Sequence, residues 1–499
     1  MSTTVSPVFW FVTGSQHLYG EETLKGVAEH TRIMTLGLNA DSHIPYTILM
    51  KPVVTTASAI EQVLREANAD AQCAGVIVWM HTFSPAKMWI AGLQRLNKPL
   101  LHLHTQFNRD IPWEHIDMDF MNLNQSAHGD REFGFLATRM HVSRKVVAGY
   151  WEDPQTRHRI GLWMRSAVGW RASHDVKVVR FGDNMRDVAV TEGDKVEAQI
   201  RLGWNVTGYG VGDLVEVVES IDEHSVDSLL DEYVALYEIS PEARNDSDIW
   251  QSIRTQARLE LAIKRFMETG HFNAFTTTFE DLHGLSQLPG LAVQRLMLDG
   301  FGFGAEGDWK TAALVRILKV MADNRGTSFM EDYTYHWNDG QQLILGSHML
   351  EVCPSIAAEQ PRIAVYPLAI GGKDDPARLI FDGHSGPAIC ASLVDLGTRF
   401  RLVVNEVEAV SPPHTMPRLP VARVLWQPMP SLSDAAESWI YAGGSHHSVF
   451  SYDVTAEQLQ DWADMVGIEC VVINGKTSVA SIRDTLRWND LYYQFRSIQ

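Results

Sequence analysis

The chain changes its pattern near Thr327, and that change constrains the fold more than any single motif. Upstream, short apolar runs alternate with segments of helical periodicity. Downstream, short runs are broken by turn residues roughly every 8 to 12 positions. The first pattern requires crossover connections, hence parallel sheets covered by helices. The second suits an antiparallel barrel or sandwich. At 499 residues the chain exceeds one ordinary core, since domains run to about 100–200 residues. The expected division is an N-terminal α/β domain over 1–176, a central α/β domain over 177–327 and a C-terminal β-barrel domain with terminal helices over 328–499.

In the first third, Val8–Val12, Tyr46–Val54, Gly75–Trp79 and Pro99–His102 read as strands, and Glu21–Leu38 and Ala59–Ala67 as helices. Three of these strands run into polar, aromatic loops: Gly14–Tyr19, His81–Ser84 and His104–Phe107. Such loops at the carboxyl ends of parallel strands are where doubly wound folds bind small ligands. A long helical stretch from Asp130 to about Ala167 closes this unit, and Val176–Phe181 opens a second alternation. That alternation continues through a helix near Ser252–Glu268 and a strand Ala274–Phe279 to a last helix, Trp309–Ala322. The barrel runs are Ser328–Tyr335, Leu343–Met349, Ile363–Leu368, Ala388–Leu393, Phe400–Val407 and Ala422–Trp426. Helices follow near Ala456–Met465 and Ser481–Tyr493.

Composition narrows the partners. Apolar residues make up 45% and charged residues 21%, as in a globular protein with a large interior. The net charge is −19, with no basic run interleaved with aromatics, so nucleic acid and anionic membranes are poor partners. Cys73, Cys353, Cys390 and Cys470 are widely spaced and read as reduced core thiols. The apolar stretch at Val8–Val12 has neither a basic flank nor a cleavage site, and no run reaches the length of a membrane span. The expected compartment is the cytoplasm.

The chemistry-bearing residues fall in four short segments: Gly304–Trp309, Met330–Tyr333, Gly346–Met349 and Gly443–His447. Between the middle two, Asn338-Asp339-Gly340 is a hairpin signal. With Asp339 and Gly340 as the turn, Glu331 and His348 become directly opposed, their Cβ atoms roughly 4.5 to 5.5 Å apart. Carboxylates and imidazoles at that spacing suit a divalent ion such as Mn²⁺ or Co²⁺. Four protein ligands would leave two positions open on a six-coordinate ion, enough for two neighbouring oxygens of a polyol. Acid/base carboxylates without a metal, and a purely structural grouping, stay open at this point. Two motifs are decoys. Gly302–Gly307 fits GxGxxG in letters, yet a helix-like segment, not a strand, is expected before it. Ser84-Pro85-Ala86-Lys87 fits SxxK with no companion motif.

The same segments resemble the L-arabinose isomerase family. FWFVTGSQHLYG (9–20), VWMHTFSPAKMWIA (78–91), DMDFMNLNQSAHG (117–129), FTTTFEDLH (275–283), EGDWKTA (306–312) and TSFMEDYTY (327–335) carry the likeness, as do GSHMLEVCPSI (346–356), GGKDDPAR (371–378) and GGSHHSVF (443–450). The resemblance implies Glu306, Glu331, His348 and His447 as ligands of one Mn²⁺ per subunit, replaceable by Co²⁺, with Glu306 and Glu331 also as the acid/base pair. It implies interconversion of L-arabinose and L-ribulose through a cis-enediol, with D-galactose to D-tagatose as a side activity. It further implies an L-fucose isomerase-like fold and a homohexamer whose active site lies at a subunit boundary. Gln16, Leu18, Tyr19, His128, Met185, Phe279, Ile370 and His446 match pocket positions. The competing readings are a non-catalytic sugar-binding or metal-storage protein, and a metal-using hydrolase or dehydrogenase.

Overall fold

The computed structural model describes residues 6–338, 340–368 and 370–496. The sequence-predicted turn residue Asp339 lies outside the described residues. Eight consecutive buried residues, Cys73–Met80, form the central strand of the first sheet. That unbroken burial is what a parallel strand covered on both faces requires. The sheet contains β1 (Val8–Gly14), β2 (Thr47–Met50), β3 (Cys73–Met80), β4 (Leu100–His104) and β5 (Lys145–Ala148), in the order β2-β1-β3-β4-β5 and all parallel. The order reverses between β1 and β3, so the unit is doubly wound. Trp10, Val12, Val78, Met80, Trp89 and Phe133 anchor a core on one of its faces. The helix Ala57–Ala69 starts where Thr56 accepts the Ala59 N–H, an N-cap that satisfies one of the orphan donors of its first turn.

The expected continuous helical stretch over Asp130–Ala167 is corrected. The helix Ser126–Arg139 ends, β5 follows, and a second helix runs over Pro154–Ser173. Four residues suffice for this edge strand because β4 supplies its ladder. No periodicity is legible over so short a run.

The chain divides into two compact units, Met1–Arg171 and Ala172–Gln499. The second holds a four-stranded parallel sheet of β6 (Lys177–Phe181), β7 (Asn205–Tyr209), β8 (Ala274–Thr277) and β9 (Gly302–Gly304), ordered β7-β6-β8-β9. Gly302–Gly304 is therefore a strand, contrary to the expectation of a helix-like approach to the GxGxxG letters. The helix it leads to carries Asp308 at its N-cap, a carboxylate where a pyrophosphate would need to sit.

The same unit contains β10 (Thr327–Asn338), β11 (Gln341–Ser347), β12 (Arg362–Val365), β13 (Ala377–Ile380), β14 (Gly386–Asp395), β15 (Phe400–Val410), β16 (Arg423–Pro428), β17 (His447–Ser451) and β18 (Glu469–Ile473). The order β14-β17-β10-β11-β16-β15 closes on itself through a β14–β15 pairing, which makes an antiparallel barrel, and β18 adds to β15 in parallel. The expected barrel run Ile363–Leu368 is instead β12, paired with β13 in a separate two-stranded sheet. The almost wholly buried helix Trp309–Met321 packs against β8 and β9 and against β10, β14 and β17. It thereby couples the parallel sheet to the barrel.

Candidate active site

The hairpin register holds from Asn338↔Gln341 to Thr334↔Leu345, then shifts between Asp332 and Thr334. The expected Glu331↔His348 pairing is thus off by one. Tyr333 is the extra residue of a β-bulge, and Glu331 faces Ser347 across β11 and His447 across β17. His348 lies just past the end of β11, and its Nε2 still comes within 3.8 Å of Glu331 Oε2. Strand alternation separates the neighbours: Glu331 and Tyr333 line one cavity, whereas Asp332 lines another, shared with Cys390, Asn405 and Trp439.

Gly346 belongs to this geometry. A Cβ there would lie 1.9 Å from the Trp426 ring, so only glycine lets β11 pass that indole. Glu306 sits in the β9-to-helix loop with φ of +60°, a left-handed conformation that costs a non-glycine residue of order 1–3 kcal/mol. The loop is fixed by the Met185 N–H donating to the Glu306 carbonyl at 3.0 Å and by the Gly307 N–H donating to Thr277.

Glu306, His446 and His447 each offer one ligand atom, all within 4.8 Å of one another. Glu306 Oε2 lies 3.6 Å from His446 Nε2 and 3.8 Å from His447 Nε2. The His348 and His447 rings are 6.0 Å apart, with Phe329 edge-on to both. A cavity of about 190 Å³ opens on the cluster; Thr277, Phe279, Leu288, Tyr333, Met349 and Ile370 line it together with Glu306, Glu331 and His348.

Each buried imidazole is held from behind by a carboxylate that sequence reasoning missed. His447 Nδ1 is 3.1 Å from Asp308 Oδ2, and His348 Nδ1 is 2.5 Å from Glu351 Oε2. A carboxylate accepts from Nδ1–H and so leaves the lone pair on Nε2. For His447 that nitrogen is buried and has no hydrogen-bond partner. A buried, unprotonated, unpartnered nitrogen beside a carboxylate fits a metal ligand. Burial would raise the Asp308 carboxyl, but Lys310, His447 and Thr311 hold it well below the usual carboxylate range. Burial likewise acts to raise Glu306, and His446, His447 and His348 turn the balance downward. His348 rises above the usual imidazole range, since Glu351, Glu331 and Glu306 outweigh its burial. The legible signals were the N-cap pattern of Asp308-Trp309-Lys310-Thr311 and the three-residue step from His348 to Glu351.

Gln16, Leu18, Tyr19 and His128 belong to the first unit. Gln16 precedes a short turn of helix at the carboxyl end of β1, in which Leu18 is 83% exposed. The Tyr19 hydroxyl donates to Gln125, and His128 packs on Phe83 at 4.5 Å.

Three family models match consecutive stretches: the L-arabinose isomerase N-terminal domain over residues 3–175, the central domain over 177–324 and the C-terminal domain over 326–469. Curated relatives named L-arabinose isomerase include one from Geobacillus kaustophilus, 66% identical over 98% of both chains. Another, from Anoxybacillus flavithermus, is 66% identical over 97% of both, and one from Bacillus subtilis is 59% identical over 98% of both.

Proposed function

The chain belongs to the L-arabinose isomerase family and is an aldose–ketose isomerase; from that premise we propose that it converts L-arabinose to L-ribulose at the Glu306/Glu331 cluster with Mn²⁺, through a cis-enediol. The observation that carries the reading is the pair of carboxylate-backed imidazoles, His447 and His348, whose Nε2 atoms each lie 3.8 Å from a glutamate. Glu306, Glu331, His348 and His447 would hold the ion, with His446 beside Glu306. Bound there, Mn²⁺ would offset negative charge developing on neighbouring substrate oxygens.

The chain's own groups account for the proton traffic. Aldose-to-ketose conversion moves a proton from carbon 2 to carbon 1 and another between the two oxygens. One glutamate takes the carbon-bound proton and the other serves the hydroxyls. Phe279, Leu288 and Ile370 give the cavity an apolar wall, which suits a pentose's C–H face. D-galactose to D-tagatose as a side activity, Co²⁺ substitution, a cytoplasmic location and an L-fucose isomerase-like hexamer belong to the same proposal. So does a site completed at a subunit boundary by Gln16, Leu18, Tyr19 and His128. The division at 176/177 and 327/328 is supported by the limits of the three family models. Among the described residues no helix is long and apolar enough to cross a membrane.

Glu306→Gln and Glu331→Gln test the roles. Each is expected to lower turnover by at least about 100-fold, the scale of losing a general acid or base. Near-wild-type turnover in both variants would remove the assignment.

A further inference from the structure

Lys319 and Cys353 are both fully buried, and the lysine Nζ lies 3.5 Å from the thiol Sγ. The other partner of Nζ is Asn324 Oδ1 at 3.4 Å, and no carboxylate pairs with it among the described residues. An ammonium buried without a counter-ion is costly. Burial accordingly holds Lys319 below the usual lysine range despite the helping thiol, which favours a neutral, nucleophilic amine. The sulfur is also positioned on its far side: Ser355 Oγ is 3.3 Å from Sγ and donates its own proton to the Thr327 carbonyl, so a lone pair faces the thiol. Cys353 is the one cysteine with a side-chain amine at hydrogen-bond range among the described residues.

We propose that Cys353 and Lys319 are a redox modification site, at which hydrogen peroxide converts the pair into a reversible sulfur–nitrogen cross-link. Peroxide first oxidises the thiol by two electrons: RSH + H₂O₂ gives RSOH + H₂O. The lysine lone pair then attacks sulfur. The S–N bond forms as the S–O bond breaks, and hydroxide leaves with an amine proton: RSOH + R′NH₂ gives RS–NHR′ + H₂O. Two equivalents of a small thiol restore RSH and R′NH₂ and leave as a disulfide. Burial excludes bulky oxidants, which is why a small neutral peroxide is the reagent named.

The bond would brace the active site from both sides. Lys319 lies on the helix whose N-cap, Asp308, holds His447, and Cys353 lies two residues from Glu351, which holds His348. Neither residue lines the cavity at the Glu306/Glu331 cluster.

The test is peptide mass mapping of the full-length protein after hydrogen peroxide, with dimedone added as the protein is unfolded for digestion, so that any sulfenic acid buried in the folded protein is trapped. The expected product is a Lys319–Cys353 cross-linked peptide, lighter than the two peptides together by two hydrogens, and lost on treatment with dithiothreitol. Lys319→Arg removes the primary amine and keeps a cation; its Cys353 is expected to be recovered as the dimedone adduct instead. Wild-type Cys353 recovered as thiol or as dimedone adduct, or linked to another lysine, overturns the proposal whether or not the variant folds.

Discussion

Replacing Asp308 by asparagine keeps the side chain's size and removes its charge. In the native protein that carboxylate accepts the Thr311 backbone N–H at 3.2 Å and the Thr311 hydroxyl at 2.7 Å, receives His447 Nδ1 at 3.1 Å and lies 3.5 Å from Lys310 Nζ. Asparagine preserves the N-cap acceptor, so the helix start loses little. Two charge-dependent contacts are lost. A hydrogen bond to a charged group contributes about 1.5–3 kcal/mol. Lys310, 1% exposed, would keep only its two carbonyl acceptors, Thr191 and Glu192. Breaking a buried pair in this way costs about 3–5 kcal/mol at most, and the retained carbonyls place the expected loss nearer about 2–3 kcal/mol. The functional effect is separate. Without an anionic acceptor the His447 tautomer is no longer fixed, and loss of such a partner typically weakens metal affinity by about 10–100-fold. Calorimetric titration of chelator-stripped protein with Mn²⁺ reads the second effect, and urea unfolding reads the first. An unchanged Mn²⁺ affinity in a variant with the predicted stability loss would refute the claim that Asp308 presents His447 to an ion.

Two further outcomes follow from packing and protonation. Gly346→Ala drives a methyl group into Trp426, the added carbon falling 1.9 Å from the ring. It is expected to destabilise the barrel by about 1–3 kcal/mol, read as a lower urea midpoint; wild-type stability would mean that β11 can shift freely. His81 is fully buried, stacked on Trp79, and shares a 2.7 Å contact between its Nε2 and His30 Nδ1. Burial, aided by the His30 charge, lowers it from 6.5 to about 3. Because the folded value lies below the unfolded one, this stability is fully present above pH 6.5 and is lost as pH falls from 6.5 towards 3. Thermal unfolding across that range should fall less steeply in His81→Gln than in the wild type; parallel curves would exclude His81 as the cause.

Three of the four chemistry-bearing segments were legible because each couples a glutamate or histidine to glycine near a strand end, the fourth, Met330–Tyr333, because it faces one of them across the hairpin signal; the long buried strands were legible as apolar runs. The hairpin arithmetic located the right strands and failed by one residue, since a bulge at Tyr333 leaves no mark in hydrophobic alternation. β5 escaped notice because only one of its four residues, Val147, is buried, and β18 because its buried and half-buried residues alternate without a continuous apolar run. β17 was hidden because its first residue, His447, reads as a polar loop, although it is wholly buried. Asp308 and Glu351 were missed for a related reason. A lone carboxylate in sequence looks like a cap or a solvated group, and only the fold shows the imidazole it supports.

Ketose formation from L-arabinose by chelator-stripped protein, with and without added Mn²⁺ and with no nicotinamide, reads the proposed reaction itself. Little L-ribulose is expected from the stripped protein, and Mn²⁺ is expected to restore its formation. No ketose from folded protein that still binds Mn²⁺ would contradict the proposed reaction.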